Sequence, residues 1–397
     1  MSTIDTIVLK VAAPCNLNCT YCYEYRTDTS WRQMPKRVSA DVLSAFCARI
    51  VEHVRVNRLQ RFFVNVHGGE PMLLGADGLD DLFTILKDQL GRHVALHLGL
   101  QTNATLATPE IAEVLRLHDV SVGISIDGPQ QANRYRIGHD GEEAFERIIA
   151  GLRTLRDGGV KIAGALAVIN RSVPAVDIMS FLADLGFTQI DLLQPMANHE
   201  LEPLPMPEGP SLGEWWSAGF QAWTTSPRLS ALRVRFFEDA IRSVLEGAAF
   251  TSEFFGHPPR AYLVVRTDGS YEGHDYNKIN GTDGRVLGLN VHDHEMSEVL
   301  SHPALSALHW LDGSSSVPTD CNGCAIADWC KGGSLPTRYD STRGYDNRSV
   351  YCGDLQVFFH TLGQWLIEQS TLDESIRIDV DRRLAELAGV SFPRALS

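Results

Sequence analysis

The sequence predicts an α/β fold: a partial, TIM-like (β/α)6 barrel of parallel strands, followed by a smaller cysteine-rich domain. Three observations carry this. Apolar or β-branched runs alternate with segments of helical period through about residue 196. A Pro-rich stretch, LEPLPMPEGP at 201–210, then interrupts the alternation. The eight cysteines divide into Cys15, Cys19 and Cys22, a solitary Cys47, and Cys321, Cys324, Cys330 and Cys352.

The strand-like runs are TIVLKVA, RFFVNVH, VALHLGLQT, VSVGISID, VKIAGALAVI and QIDLLQP. Between them, segments such as SADVLSAFCARIVEHV, LDDLFTILKDQL, AFERIIAGLRTLRD and VDIMSFLADLG repeat apolar residues at helical spacing. Strands joined through helices cross over and lie parallel. Their carboxyl ends then share one edge, where the following loops converge. APCNLNCTYC, HGGEP, QTNAT and SIDGP fall at four such ends. Beyond the break, SLGEWWSAGFQAW and FFEDAIRSVLEG read as helices, and RAYLVVRTDGSYEGHDY reads as a hairpin turned by Asp268-Gly269. LQVFFHTLGQWLIEQ and ESIRIDVDRRLAELAG close the chain as helices. The expected segments are a core barrel over 1–205, a helical bridge over 206–255, the cysteine-rich domain over 256–360 and terminal helices over 361–397.

With 44% hydrophobic and 21% charged residues the composition suits a soluble enzyme, and no apolar run approaches the roughly 20 residues of a membrane span. MSTIDTIVLK lacks a basic region followed by an apolar one, so export and a disulfide framework are not expected, and a cytoplasmic location is. A formal charge of −14 argues against binding nucleic-acid backbones, which Lys and Arg neutralise.

CNLNCTYCYEY places three thiols on one short loop. A cubane of four irons normally takes four thiolates, so three leave one iron open. At a strand's carboxyl end an open iron is a reactive position, by the logic that separates catalytic from structural metal sites. Two blander readings stay open: a zinc site with a distant fourth ligand, or buried thiols packed as small hydrophobes. Cys47 sits at helical spacing in an amphipathic segment and is expected in the core.

C-x3-C-x2-C with an aromatic, Tyr21, before the last cysteine and GGEP downstream resembles the radical S-adenosylmethionine (SAM) superfamily. The resemblance implies a [4Fe–4S] cluster on Cys15, Cys19 and Cys22, its open iron chelated by SAM. One electron then cleaves SAM to a 5′-deoxyadenosyl radical, which abstracts hydrogen from an unactivated C–H bond. It also implies SAM contacts from Gly68, Gly69 and Glu70, the glycines for close backbone approach and the carboxylate for the ligand's ammonium. Ser125 and Asp127 would reach ribose or carboxylate oxygens, Arg136 would pair with the SAM carboxylate with Arg134 as the alternative, and Met196 would contact adenine.

The second group, C-x2-C-x5-C with a fourth cysteine 22 residues later, makes a closed site. A zinc ribbon is one reading. The stretch also resembles the SPASM extension of radical SAM maturases, which can hold two auxiliary [4Fe–4S] clusters. Here Ser334, Ala261 or Tyr262, and His274 stand where the first auxiliary cluster's cysteines would be. Cys321, Cys324, Cys330 and Cys352 match the second, so one auxiliary cluster is expected. Asp275, directly after the hairpin position of a cluster cysteine, takes the place at which anaerobic sulfatase maturases carry a proton-accepting aspartate.

Similarity to those maturases runs through nearly the whole chain, while YEYRTDTSWRQMP and GYDNRSVYCGDL resemble FxsB-type maturases, a group that includes cyclophane-forming enzymes. The implied partners are a ribosomally made precursor peptide and a reductant such as flavodoxin or ferredoxin. The implied reaction joins an aromatic ring to a β-carbon; sulfatase-type Ser or Cys oxidation and epimerisation are the alternatives, and a non-catalytic zinc adaptor is the alternative of a different class. No fused leader-recognition domain is expected before the barrel.

Overall fold

The computed structural model describes residues 4–203, 209–247, 254–256, 262–281, 286–307 and 317–388. The expected linker therefore falls partly outside the described residues, at 204–208, and Ala261 also lies outside them. The strands are β1 (Thr6–Ala12), β2 (Arg61–Gly68), β3 (Ala95–Thr102), β4 (Ser121–Ser125), β5 (Ile162–Val168), β6 (Gln189–Leu193), β7 (Arg233–Val234), β8 (Leu263–Val265), β9 (Ser270–Glu272) and β10 (Val286–Asn290). The chain forms two compact units.

The first unit comprises Met1–Ile126, Asn133–Leu166 and Ala261–Gly313. Its sheet runs β10-β9-β8-β1-β2-β3-β4-β5. From β1 to β5 every pairing is parallel, in registers such as Leu9 with Val66, Val64 with Leu98, Leu100 with Val122 and Ser125 with Leu166. The amphipathic pattern seats the helices: Ala40–Asn57 turns Leu43, Phe46, Cys47 and Ile50 inward. The Ser39 hydroxyl caps it by accepting from Val42 N at 3.2 Å. The hairpin β8–β9 forms around Asp268-Gly269 as expected, with Gly269 at φ +83° and Arg266 N donating to Ser270 O at 3.0 Å. β8 lies parallel to β1, Leu9 opposite Val265, so this segment belongs with the strands at the start of the chain.

The second unit comprises Asp127–Ala132, Ala167–Arg260 and Ser314–Ser397. Here β6 and β7 pair in parallel, Ile190 opposite Val234. An aromatic core joins the helices Leu212–Thr225, Arg235–Leu245 and Cys352–Ile367. Trp216 stacks on Phe236 at 4.6 Å, and Phe358 meets Phe220 edge-on at 5.9 Å. The last helix, Glu374–Ala388, packs Leu384 against Gly363. No helix among the described residues is long and apolar enough to cross a membrane.

Candidate active site

Parallel strands bring the ends of β1, β2, β3 and β4 to one edge, and the first cysteine loop leaves from the end of β1. The loop is held on two sides. Gly69 N donates to Ala12 O at 2.8 Å and Glu70 N to Pro14 O at 3.2 Å. On the other side, Asn18 N donates to Ile137 O at 2.7 Å and Thr20 N to Tyr135 O at 3.1 Å. That second strip carries Arg136, which is buried, its guanidinium carbon 5.5 Å from the Tyr21 ring centroid. Arg134 instead stands exposed over Tyr135, so the geometry favours Arg136 for the inward role.

The glycines of HGGEP are required by the protein's own packing. A Cβ on Gly69 would lie 1.9 Å from the Tyr25 hydroxyl and 2.2 Å from Pro14 O. One on Gly68 would lie 2.5 Å from Ala12 O. The close approach they permit is to the cysteine loop itself.

Glu70 likewise faces the protein. Its buried carboxylate accepts from Thr102 Oγ1 at 2.7 Å, Asn103 N at 2.9 Å and Met72 N at 3.0 Å. Burial pushes its pKa up to about 7, against the pull of those donors. Asn103 passes the constraint on: its side-chain amide reaches Asn16 Oδ1 at 3.0 Å and lies 3.8 Å from Cys15 Sγ. Glu70 thereby organises the loop that carries Cys15.

The thiols have the chemistry of a cluster site. Burial pushes Cys22 up to about 12 and Cys15 higher still, and the neighbouring thiolates raise both further. Three such thiolates need positive charge among them, which irons supply. Ser125 accepts from Gln101 Nε2 at 2.8 Å and keeps its own proton to donate.

Asp275 is the centre of a buried charged network. It accepts from Lys10 Nζ at 2.9 Å, Tyr23 OH at 2.9 Å and Tyr262 OH at 3.0 Å. Lys10 also reaches Glu24 at 3.2 Å, and Lys278 pairs with the other Glu24 oxygen. Although burial alone would raise the Asp275 pKa, the Lys10 ammonium holds it well below the usual carboxylate range. His274 packs its ring against Tyr262 at 3.6 Å, and burial drives its pKa down to about 3.

In the second unit, Cys321 and Cys330 are buried and Cys324 and Cys352 half-buried. The loop folds back through Lys331, Gly332 and Gly333, all at positive φ, with Gly333 N donating to Cys330 O at 2.8 Å. A Cβ on Gly332 would strike Pro318 at 2.4 Å. Burial raises the Cys352 pKa to about 11, while its place at the start of the helix Cys352–Ile367 favours the thiolate. Burial raises the pKa of Cys321 and of Cys330, and the neighbouring thiolates raise Cys321, Cys330 and Cys352 further. Among the described residues no group of three or more His, Cys, Asp and Glu is arranged around a single ion. Ser334 is buried, its carbonyl accepting from Thr337.

Asp127 and Met196 also belong to the second unit. Asp127 accepts from Val168 N at 2.8 Å. Met196 follows β6 next to Pro195, whose carbonyl accepts from Tyr351 OH at 2.7 Å. Sequence reasoning did not single out Lys10, Glu24, Tyr23, Lys278 or Asn103. For Lys10 a signal existed, one charge inside the apolar run IVLKVAA.

A model of the radical SAM superfamily matches residues 10–181. The chain is 22% identical over 374 residues to a cysteine-type anaerobic sulfatase-maturating enzyme of Clostridium novyi, covering 90% of this chain and 95% of that one. Its fold is similar to the solved structure of native anSMEcpe with bound AdoMet and Kp18Cys peptide, at 20% identity and TM-score 0.76, over 91% of this chain and 98% of that one. It is also similar, at 13% identity and TM-score 0.58, to Streptococcus suis SuiB bound to precursor peptide SuiA, over 89% of this chain and 76% of that one. The cysteine loop at the end of β1, with Glu70 behind it, lies within the match to the radical SAM superfamily over residues 10–181, and its three thiols fit the cofactors of that family, SAM and a [4Fe–4S] cluster.

Proposed function

We propose that the chain is a radical SAM maturase that removes two hydrogens from a ribosomally made precursor peptide, joining an aromatic ring to the β-carbon of a nearby residue. The observation that carries this reading is the presence, in one chain, of a buried ionised carboxylate, Asp275, and a closed set of four thiols, Cys321, Cys324, Cys330 and Cys352. Forming such a bond requires both kinds of group, because one hydrogen leaves as an atom and the other as a proton and an electron.

SAM, on a cluster held by Cys15, Cys19 and Cys22, supplies the hydrogen-atom abstraction. Arg136 pairs with the carboxylate of SAM, and the Ser125 hydroxyl donates toward it. Asp275 takes the proton. Among the described residues its Oδ2 accepts two hydrogen bonds and its Oδ1 one. Held ionised by Lys10 it is a weak base, which suffices for a carbon already made acidic by the first oxidation. The four thiols of the second unit would hold one auxiliary cluster, which would accept the electron released with the proton, and a flavodoxin- or ferredoxin-type reductant would supply the electron that cleaves SAM.

Where a second cluster's ligands would stand in the hairpin, Tyr262 hydrogen-bonds Asp275 and His274 packs on Tyr262. This departure from the two-cluster pattern supports a reaction other than sulfatase maturation. The 90% coverage by a sulfatase-maturating relative favours the second reading, oxidation of a Ser or Cys side chain to an aldehyde. The test is coexpression with the precursor peptide encoded beside the gene, followed by mass spectrometry. A crosslink lowers the peptide mass by about two daltons, blocks fragmentation between the joined residues and gives no hydrazine adduct. A hydrazine-reactive product establishes the second reading. An unchanged mass with an inverted Cα overturns both.

A further inference from the structure

The second cysteine group has a buried cation beside it. Arg338 ends the 3-10 turn Leu335–Arg338 and is 3% exposed. Its Nε donates to Tyr345 O at 2.9 Å, and its own carbonyl accepts from Asn347 Nδ2 at 2.9 Å. Its Nη1 lies 3.7 Å from where a Cβ on Gly332 would stand. Gly332 is two residues beyond Cys330 and directs its N–H toward the Cys330 thiol. The guanidinium is thus lodged against the turn that presents Cys330, and its charge also acts on Cys321.

We infer that Arg338 is a positioning residue that raises the reduction potential of the cluster held by Cys321, Cys324, Cys330 and Cys352. The inference rests on the reading of those thiols as a cluster site. A cubane on four thiolates carries negative charge, and taking up one electron adds one more. A fixed positive charge stabilises the more negative state, and burial leaves it little screened. The electron comes from the substrate as its second hydrogen departs as a proton to Asp275, so substrate is oxidised and cluster reduced by one electron each. Other charges nearby are weaker or opposed. Arg348 is exposed, Asp320 is neutralised by a two-point pair with Arg343 at 3.0 and 3.1 Å, and Asp354, which accepts from Gly213 N, acts on Cys352 in the opposite sense.

The experiment uses the full chain carrying Cys15→Ala, Cys19→Ala and Cys22→Ala, reconstituted anaerobically, so that the second group's cluster titrates alone. Absence of iron in this parent overturns the reading of the four thiols before Arg338 is touched. With the cluster present, its midpoint is measured by potentiometric titration with EPR detection. In Arg338→Gln the equilibrium constant for reduction is expected to fall about tenfold, a shift of about 59 mV to more negative potential for one electron. Arg338→Lys, which keeps the charge, should stay near the parent. An unshifted midpoint in Arg338→Gln overturns the inference. If Arg338→Gln loses its cluster, Arg338→Lys decides: retention at the parent midpoint supports the role of charge, and loss in both variants shows a packing residue instead.

Discussion

Lys10 is the residue on which the first unit's buried charge balances. With Asp275 at 2.9 Å and Glu24 at 3.2 Å, removing the ammonium leaves carboxylates stranded in the interior. Lys10→Met should therefore cost about 3–5 kcal/mol of stability in urea unfolding, and adding Asp275→Asn should recover part of it. Recovery would show that the cost lies in the stranded charge, not in lost packing. Glu70 gives the opposite pH signature from Asp275. Its folded pKa of about 7 stands above the ordinary carboxylate value of about 4.3, so its contribution is present below about pH 4.3 and lost as pH rises to about 7. Asp275, held low, contributes above about pH 3.9 and loses that contribution only as pH falls further. His274 and His67, held neutral by burial with pKa values of about 3 and about 4, act in the opposite sense below about pH 6.5, so the measurement is a difference: from pH 4.5 to 8 the unfolding free energy of Glu70→Gln should gain on that of the parent as pH rises. The two site residues also separate in binding. Arg136→Met should weaken SAM by about 1.5–3 kcal/mol in calorimetry at unchanged iron content. Glu70→Gln, which loses its bond from Asn103 N, should lower iron retention as well.

Among the elements, the loop after β1 depends on a side chain's absence. Gly69→Ala sets a methyl group against Tyr25 and Pro14, and the loop must leave the end of β2. Iron content after reconstitution should drop to about half, the remainder held by the second cysteine group; full retention would show that the loop tolerates the displacement. The same elements show what sequence can and cannot reveal. β2 and β3 were legible as RFFVNVH and VALHLGLQT because periodicity and strand length are local properties. So was the hairpin turn at Asp268-Gly269, which positive φ at Gly269 requires. The parallel pairing of β8 with β1 was not legible, since register across more than two hundred residues leaves no periodic trace. Asp275 could be picked out by position in the family pattern, but its partners Lys10, Tyr23 and Tyr262 come from three separate segments. The cysteines were legible because their spacing is itself the chemistry. The further contacts of Glu70 and the glycines, with Asn103, Thr102 and the cysteine loop, were not legible, because a motif tells which residues recur and not which atoms they touch.

At the scale of the whole molecule, two thiol groups make a count. The reconstituted chain should hold about eight irons, and replacing Cys15, Cys19 and Cys22 with Ala should leave about four. A content near twelve would mean that the hairpin and Ser334 hold a further cluster after all, and zinc in place of iron would favour the adaptor reading. The position of β1 has a consequence during synthesis. It is an interior strand with β2 on one side and β8 on the other. β2 leaves the ribosome soon after it, whereas β8 begins only at Leu263. At about 5–20 residues per second, one edge of this apolar strand stays bare for on the order of ten seconds to a minute in every nascent chain. Slowing elongation lengthens that interval in proportion.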